Sequence, residues 1–74
     1  MNNTLKDMPV GSKGKVVSIL KESPFKRRLM DMGIIPGVEV MVTGKAPLGD
    51  PIEILVRGYK LTLRGKEAVD IMVG

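Results

Sequence analysis

The stretch from Phe25 to Pro51, FKRRLMDMGIIPGVEVMVTGKAPLGDP, constrains the chain most, because three different kinds of chain punctuation fall within it. Its first part reads as a short helix: Ser23 caps, Pro24 suits the first helical position, and Phe25, Leu29 and Met32 recur at i, i+4 and i+7 on one face. Gly33 stops it as the residue beyond the C-cap. In Ile35-Pro36-Gly37-Val38, Pro in second place and Gly in third meet the dihedral demands of a type II turn. The turn leads into a strand on which Val38, Val40 and Val42 alternate with Glu39, Met41 and Thr43. A helix is thereby clipped directly onto a strand. Ala46-Pro47-Leu48-Gly49-Asp50-Pro51 closes the segment, a loop stiffened by two prolines and a glycine that presents Leu48 and Asp50 at its tip.

The remaining chain reads as scaffolding around that segment. Leu5 and Met8, ahead of the turn Met8-Pro9-Val10-Gly11, are expected to tuck under the sheet as a plug. Lys13 to Leu20 reads as the first strand, with Val17 and Ile19 on one face and Val16, Ser18 and Leu20 on the other, so both faces are partly covered. On the helix, the inward stripe leaves Arg27, Met30 and Asp31 outside, and Arg28 is placed to pair with Asp31 at i+3. Ile52, Ile54 and Val56 alternate with Glu53, Leu55 and Arg57, and Gly58 marks a hairpin to Tyr59, Leu61 and Leu63. Arg64 to Ala68 is too short for a stable helix alone and reads as a single 3₁₀ turn before Val69, Ile71 and Val73. The fold predicted is mostly β: a small five-stranded, partly open barrel with one short helix between strands 1 and 2, spanning 1–74 as a single domain. No repeat, linker or low-complexity segment divides it.

Three pieces taken in order, R-R-L-M-D-M-G-I-I-P-G, A-P-L-G-D-P and L-T-L-R-G-K-E-A, closely resemble the ferrous iron transport A (FeoA) family over nearly the whole chain. The resemblance implies an SH3-like barrel and a cytosolic accessory protein of ferrous iron uptake. Its implied partner is a large membrane ferrous-iron permease that carries a GTP-binding domain. The SH3-like label does not bring proline-rich peptide binding with it, because that groove needs several aromatic side chains and this chain offers at best Tyr59.

The residue inventory excludes most chemistry. There is no cysteine and no histidine among seventy-four residues, which removes disulfides, thiol nucleophiles and ordinary zinc or haem sites. No G-x-x-x-x-G-K-[ST] loop is present, and the scattered carboxylates specify no acid and base pair, so an enzyme is not expected. No cofactor and no stable metal site are expected, since ferrous ion prefers imidazole or several carboxylates; transient binding of a transition metal ion stays open. The N-terminal residues lack a basic and an apolar region, and no apolar run approaches the roughly 18 residues that span a bilayer, so a soluble cytoplasmic protein without direct membrane insertion is expected.

Net charge is +4, with Lys26-Arg27-Arg28 the densest basic cluster, a solvated helix face or a docking surface for an acidic partner. Nucleic acid is disfavoured, because Phe25 and Tyr59 are the only aromatics and Phe25 is wanted in the core. The residues left as candidates for partner binding are Arg27 and Met30 on the outer helix face and Leu48 with Asp50 on the rigid loop. Asp50 has a competing structural explanation, capping of its own turn, and Met30 and Leu48 are equally suited to cover the open end of the barrel. Two other functions stay open beside docking on the permease: a free-standing SH3-like domain of a metal-dependent regulator, and a small basic RNA-associated barrel. Self-association is compatible with all three.

Overall fold

In a computed structural model that describes residues 3–74, the chain runs through β1 (Asn3–Thr4), a 3₁₀ turn (Leu5–Asp7), β2 (Lys13–Ile19), α1 (Lys26–Asp31), β3 (Glu39–Lys45), β4 (Ile52–Val56), β5 (Tyr59–Leu63), α2 (Gly65–Ala68) and β6 (Ile71–Val73). The strands form one antiparallel sheet in the order β1-β6-β2-β3-β4-β5, open between β1 and β5. The expected mostly β, partly open architecture is present, with a sixth strand added by the two residues of β1. So short a strand carries no alternation to read; it exists because β6 offers Met72 and Val73 as partners.

The curl of the sheet depends on β2, which serves two neighbours in succession. Lys13, Gly14 and Lys15 pair with Met41, Val40 and Glu39 of β3, whereas Val16, Ser18 and Ile19 pair with Val73, Met72 and Ile71 of β6. The register shifts between Val16 and Ser18, and such a bulge bends a strand so that it can pass from one half of a sheet to the other. The expected alternation fails at this bulge. Val16 and Ile19 both point inward, and Val17, expected beside Ile19, is 58% exposed. A second register shift, between Val42 and Gly44 on β3, bends the opposite side of the sheet.

Inside the curl lies a single apolar cluster built from Leu5 and Met8, the inward residues of β2 to β6, Leu29 of α1, Ile34 and Ala68. Leu5 and Met8 fill the plug position expected of them. Each fully enclosed side chain such as Leu29 or Ile54 contributes about 2 kcal/mol through the apolar area it removes from water.

The connection from β2 to β3 holds the helix, with altered ends. Lys26 N–H donates to the Ser23 carbonyl at 3.3 Å, and Phe25 has φ −99° and ψ −3°, so Ser23 to Lys26 form a β-turn with Pro24 in its second position. The helix begins after that turn, not at Pro24. Ser23 Oγ still accepts from Phe25 N–H at 3.2 Å. At the other end Ile34 N–H donates to Leu29 O and Gly33 N–H to Met30 O, both at 3.0 Å, the paired bonds of a Schellman motif. Leu29 is wholly buried, and Phe25 and Met32 pack against the core at its margin. After Asp70, β6 begins at Ile71 and leaves Val69 exposed outside the strand.

The segment 64–68 corrects the expected 3₁₀ turn. Ala68 N–H donates to Arg64 O and Val69 N–H to Gly65 O, each at 3.0 Å, so α2 is one turn of α-helix. The Ile35-to-Val38 turn is as expected: Val38 N–H donates to Ile35 O at 3.2 Å, and Gly37 has φ +92°. A Cβ added at Gly37 would meet nothing within 4 Å, so the cost of a substitution there is backbone strain alone. Gly37→Val is expected to lower stability by about 1–2 kcal/mol, the cost of a β-branched residue at positive φ. Urea denaturation checks it, and an unchanged midpoint contradicts the turn assignment.

Candidate functional site

The site begins with a carboxylate that composition alone leaves unremarkable. Glu67 lies on α2 and is 2% exposed, the one buried charged side chain among the described residues. Its Oε2 accepts from Arg28 Nη1 on α1 at 2.9 Å, and its Oε1 accepts from Arg64 N–H, also at 2.9 Å. Both oxygens are thus used, and α1 is tied to the start of α2 across the surface of the core. This ion pair replaces the expected Arg28 to Asp31 pair. Helical geometry allows both, but Glu67 is desolvated and Asp31 is not, so the guanidinium gains more from the buried partner.

The same helix start captures the proline-rich loop. Asp50 Oδ1 accepts from Gly65 N–H at 2.9 Å and lies 3.8 Å from Arg64 Nε. Asp50 therefore caps the start of α2 and not its own turn, while its side chain stays 45% exposed. It satisfies an amide that the first turn of a helix leaves without an intrahelical partner. Within the loop, Ala46 N–H donates to Pro51 O at 3.0 Å and Gly49 N–H to Ala46 O at 2.7 Å. Leu48 is left outside this frame, 96% exposed on a backbone fixed at both ends.

Arg27 and Met30 are exposed on α1, as expected, with Met30 at 42%. Met30 lines a shallow hollow with Ser18, Ile19, Lys26 and Pro36. Arg28, which faces Glu67, lies about 200° from Met30 at 100° per residue, so the hollow opens on the flank of α1 away from α2 and the loop. Arg27, Met30, Leu48 and Asp50 therefore do not form one constellation: Leu48 and Asp50 sit together on the anchored loop, and Arg27 and Met30 sit on the helix. Between the elements, Lys66 Nζ lies 5.6 Å from the centre of the Phe25 ring.

Sequence reasoning missed Glu67 and Arg64. The available signal was the order R-G-K-E, in which a Glu three residues after an extended residue can reach back to its amide. The described residues contain no group of three His, Cys, Asp or Glu side chains placed to hold a metal ion. No helix among them is long and apolar enough to cross a membrane.

The pairing of Arg28 with Glu67 makes a measurable claim. Glu67→Ala removes both an amide cap and a buried partner and is expected to cost about 2–3 kcal/mol. Arg28→Ala should cost a similar amount, about 2 kcal/mol, because it leaves the Glu67 carboxylate, 2% exposed, without its guanidinium, a loss that water entering beside the 65% exposed arginine position offsets in part. Asp31→Asn should change stability by less than about 0.5 kcal/mol. A double-mutant cycle read by urea denaturation checks the set, and additive effects of the Arg28 and Glu67 changes would contradict the pair.

Known proteins place this geometry in a family. The sequence model of the FeoA domain matches residues 3–74. The chain is 29% identical over 69 residues to the Fe(2+) transport protein A/Fe(2+) transporter FeoB fusion protein of Porphyromonas gingivalis, covering 93% of this chain but only 8% of that protein. Among solved structures, the FeoA-like protein of Clostridium acetobutylicum superposes with a TM-score of 0.92 at 48% identity, over 99% of this chain and 85% of that one. The FeoA of Stenotrophomonas maltophilia in complex with zinc, a prokaryotic SH3 domain protein, gives 0.86 at 29% identity, over 97% and 89%. The open six-stranded sheet is thus an SH3-like fold, and the chain belongs to the FeoA domain family.

Proposed function

We propose that this chain is a non-catalytic accessory domain of ferrous iron uptake, which docks on the cytosolic part of a membrane ferrous-iron permease bearing a GTP-binding domain and modulates it. The observation that carries the reading is Leu48, an apolar side chain almost wholly in water on a loop already ordered by Asp50 and two internal backbone bonds. Ordering a loop costs affinity when it happens on binding, so an apolar tip held in advance suits an anchor. Met30, beside Arg27, supplies a second apolar contact edged by charge on the helix. The Porphyromonas gingivalis relative supports the choice of partner, because a FeoA-type segment and a transporter joined in one polypeptide stay at high effective concentration.

Met30→Asp and Leu48→Asp should each stay folded, within about 1 kcal/mol of the parent as surface positions do, and should lose binding to the permease's cytosolic domain and iron uptake in cells. Leu29→Asp should unfold the protein by burying an unpaired charge, and it calibrates what loss of fold alone does to uptake. Thermal melts beside binding and uptake assays on the three variants decide the matter; normal binding by folded Met30→Asp and Leu48→Asp would sink the docking face. In this reading the metal stays with the transporter. Calorimetry of the protein with ferrous ion should therefore show no one-to-one site of micromolar or tighter affinity.

A further inference from the structure

The outward residues of β2 to β5 fall into cross-strand rows that no part of the docking face above uses. Lys13 stands opposite Met41, Met41 opposite Leu55, and Leu55 opposite Lys60, so one row runs lysine, methionine, leucine, lysine across four strands. At about 4.8 Å per strand the lysines stand roughly 14 Å apart, with the two apolar side chains between them. The adjoining row carries Lys15 opposite Glu39, with Arg57 at the β4 end. None of Lys13, Lys15, Arg57 or Lys60 lies within ion-pair distance of a carboxylate among the described residues. Of the acids on this face, Glu53 already accepts from Thr43 Oγ1 at 2.9 Å, and Glu39 stands exposed opposite Lys15, outnumbered by Lys13, Lys15, Arg57 and Lys60.

The surface is hollowed where Lys13, Met41, Leu55 and Arg57 meet the Val38-to-Val40 segment, whose Glu39 is the one acid in the lining beside two cations. A concavity admits a side chain from a segment, whereas a bilayer surface is flat and cannot follow it. Unpaired cations on either side of an apolar floor call for an occupant with the complementary order, acidic at its ends and apolar at its centre. The free edge at β5 is continuous with this face, since Lys60 of that strand closes the row.

We infer that the outer face of β2 to β5 is a second docking surface, and that its occupant is an acidic peptide segment of a partner protein with apolar residues at its middle. Met41 and Leu55 take the apolar residues, and Lys13 and Lys60 take the carboxylates on either side. The face is independent of the Leu48 loop and the Met30 hollow, and the inference does not rest on the docking of either.

The test uses the full chain and a fluorescein-labelled synthetic peptide, Asp-Glu-Asp-Leu-Leu-Glu-Asp-Glu, titrated by anisotropy and by amide chemical shifts. Binding is expected to move the amides of Lys13, Met41, Leu55 and Lys60 while leaving α1 unmoved, and to weaken as salt is raised. Lys13→Glu with Lys60→Glu should weaken binding at least about tenfold, and Lys13→Gln with Lys60→Gln by an intermediate amount; both pairs change outward side chains only. Lys21→Glu with Lys26→Glu alters net charge equally elsewhere and should cost less than about threefold. The inference is overturned by no binding, by shifts centred on α1, or by equal losses in the two charge-reversed pairs. Stronger binding to phosphatidylserine-containing vesicles than to the peptide overturns it too, in favour of a membrane.

Discussion

Helices α1 and α2 have six and four residues, well short of the length at which a helix is stable in water, and beside the packing of Leu29 and Ala68 into the core it is the buried carboxylate of Glu67 that ties one to the other. A desolvated carboxylate is tolerated only where its oxygens are occupied, and here one takes a guanidinium from α1 and the other an amide from the start of α2. The arrangement has a further consequence for the loop 46–51. With Arg64 N–H satisfied by Glu67, the next amide, Gly65 N–H, faces Asp50, so the loop bearing Leu48 is fastened to the same helix start. The position of the exposed leucine therefore depends on a carboxylate that is itself hidden.

Much of the fold was legible because its signals are local. The Pro36-Gly37 turn, the glycine after α1 and the valine alternation on β3 each specify a backbone state within a few residues, and each is present. What escaped was written between distant residues. The bulge in β2 follows from that strand's having two partners, β3 and β6, and a sequence read in order places neither beside it. The alternation at Val17 and Ile19 failed for that reason alone. The α-helical character of α2 likewise depends on Asp50, fifteen residues away, because one turn of helix needs its first amides satisfied from outside.

The candidate site shows the same division. Exposure of Met30 and Leu48 could be read from helical spacing and from prolines flanking a loop. The role of Asp50 could not, because an aspartate before proline has an adequate local explanation and only the fold brings Gly65 beneath it. Arg28 illustrates the limit most sharply: Asp31 is three residues away and Glu67 is thirty-nine, and burial decides for the distant one. Proximity in sequence favours a pair by a few tenths of a kcal/mol, whereas an unpartnered buried carboxylate costs several times that.

The outward faces of the sheet and of the helix carry different kinds of surface, and the difference follows from how each is made. On α1 and the loop, exposed apolar groups stand singly, at Met30 and Leu48, with Leu29 packed inward and Arg28 and Asp50 engaged by α2. On β2 to β5 the pleat forces every second residue outward, so Met41 and Leu55 become neighbours and the lysines on the flanking strands fall into line with them. Single anchors suit a partner that brings its own pocket, whereas an aligned row suits an extended segment. The two surfaces share no residue, so a partner seated on one would leave the side chains of the other in water.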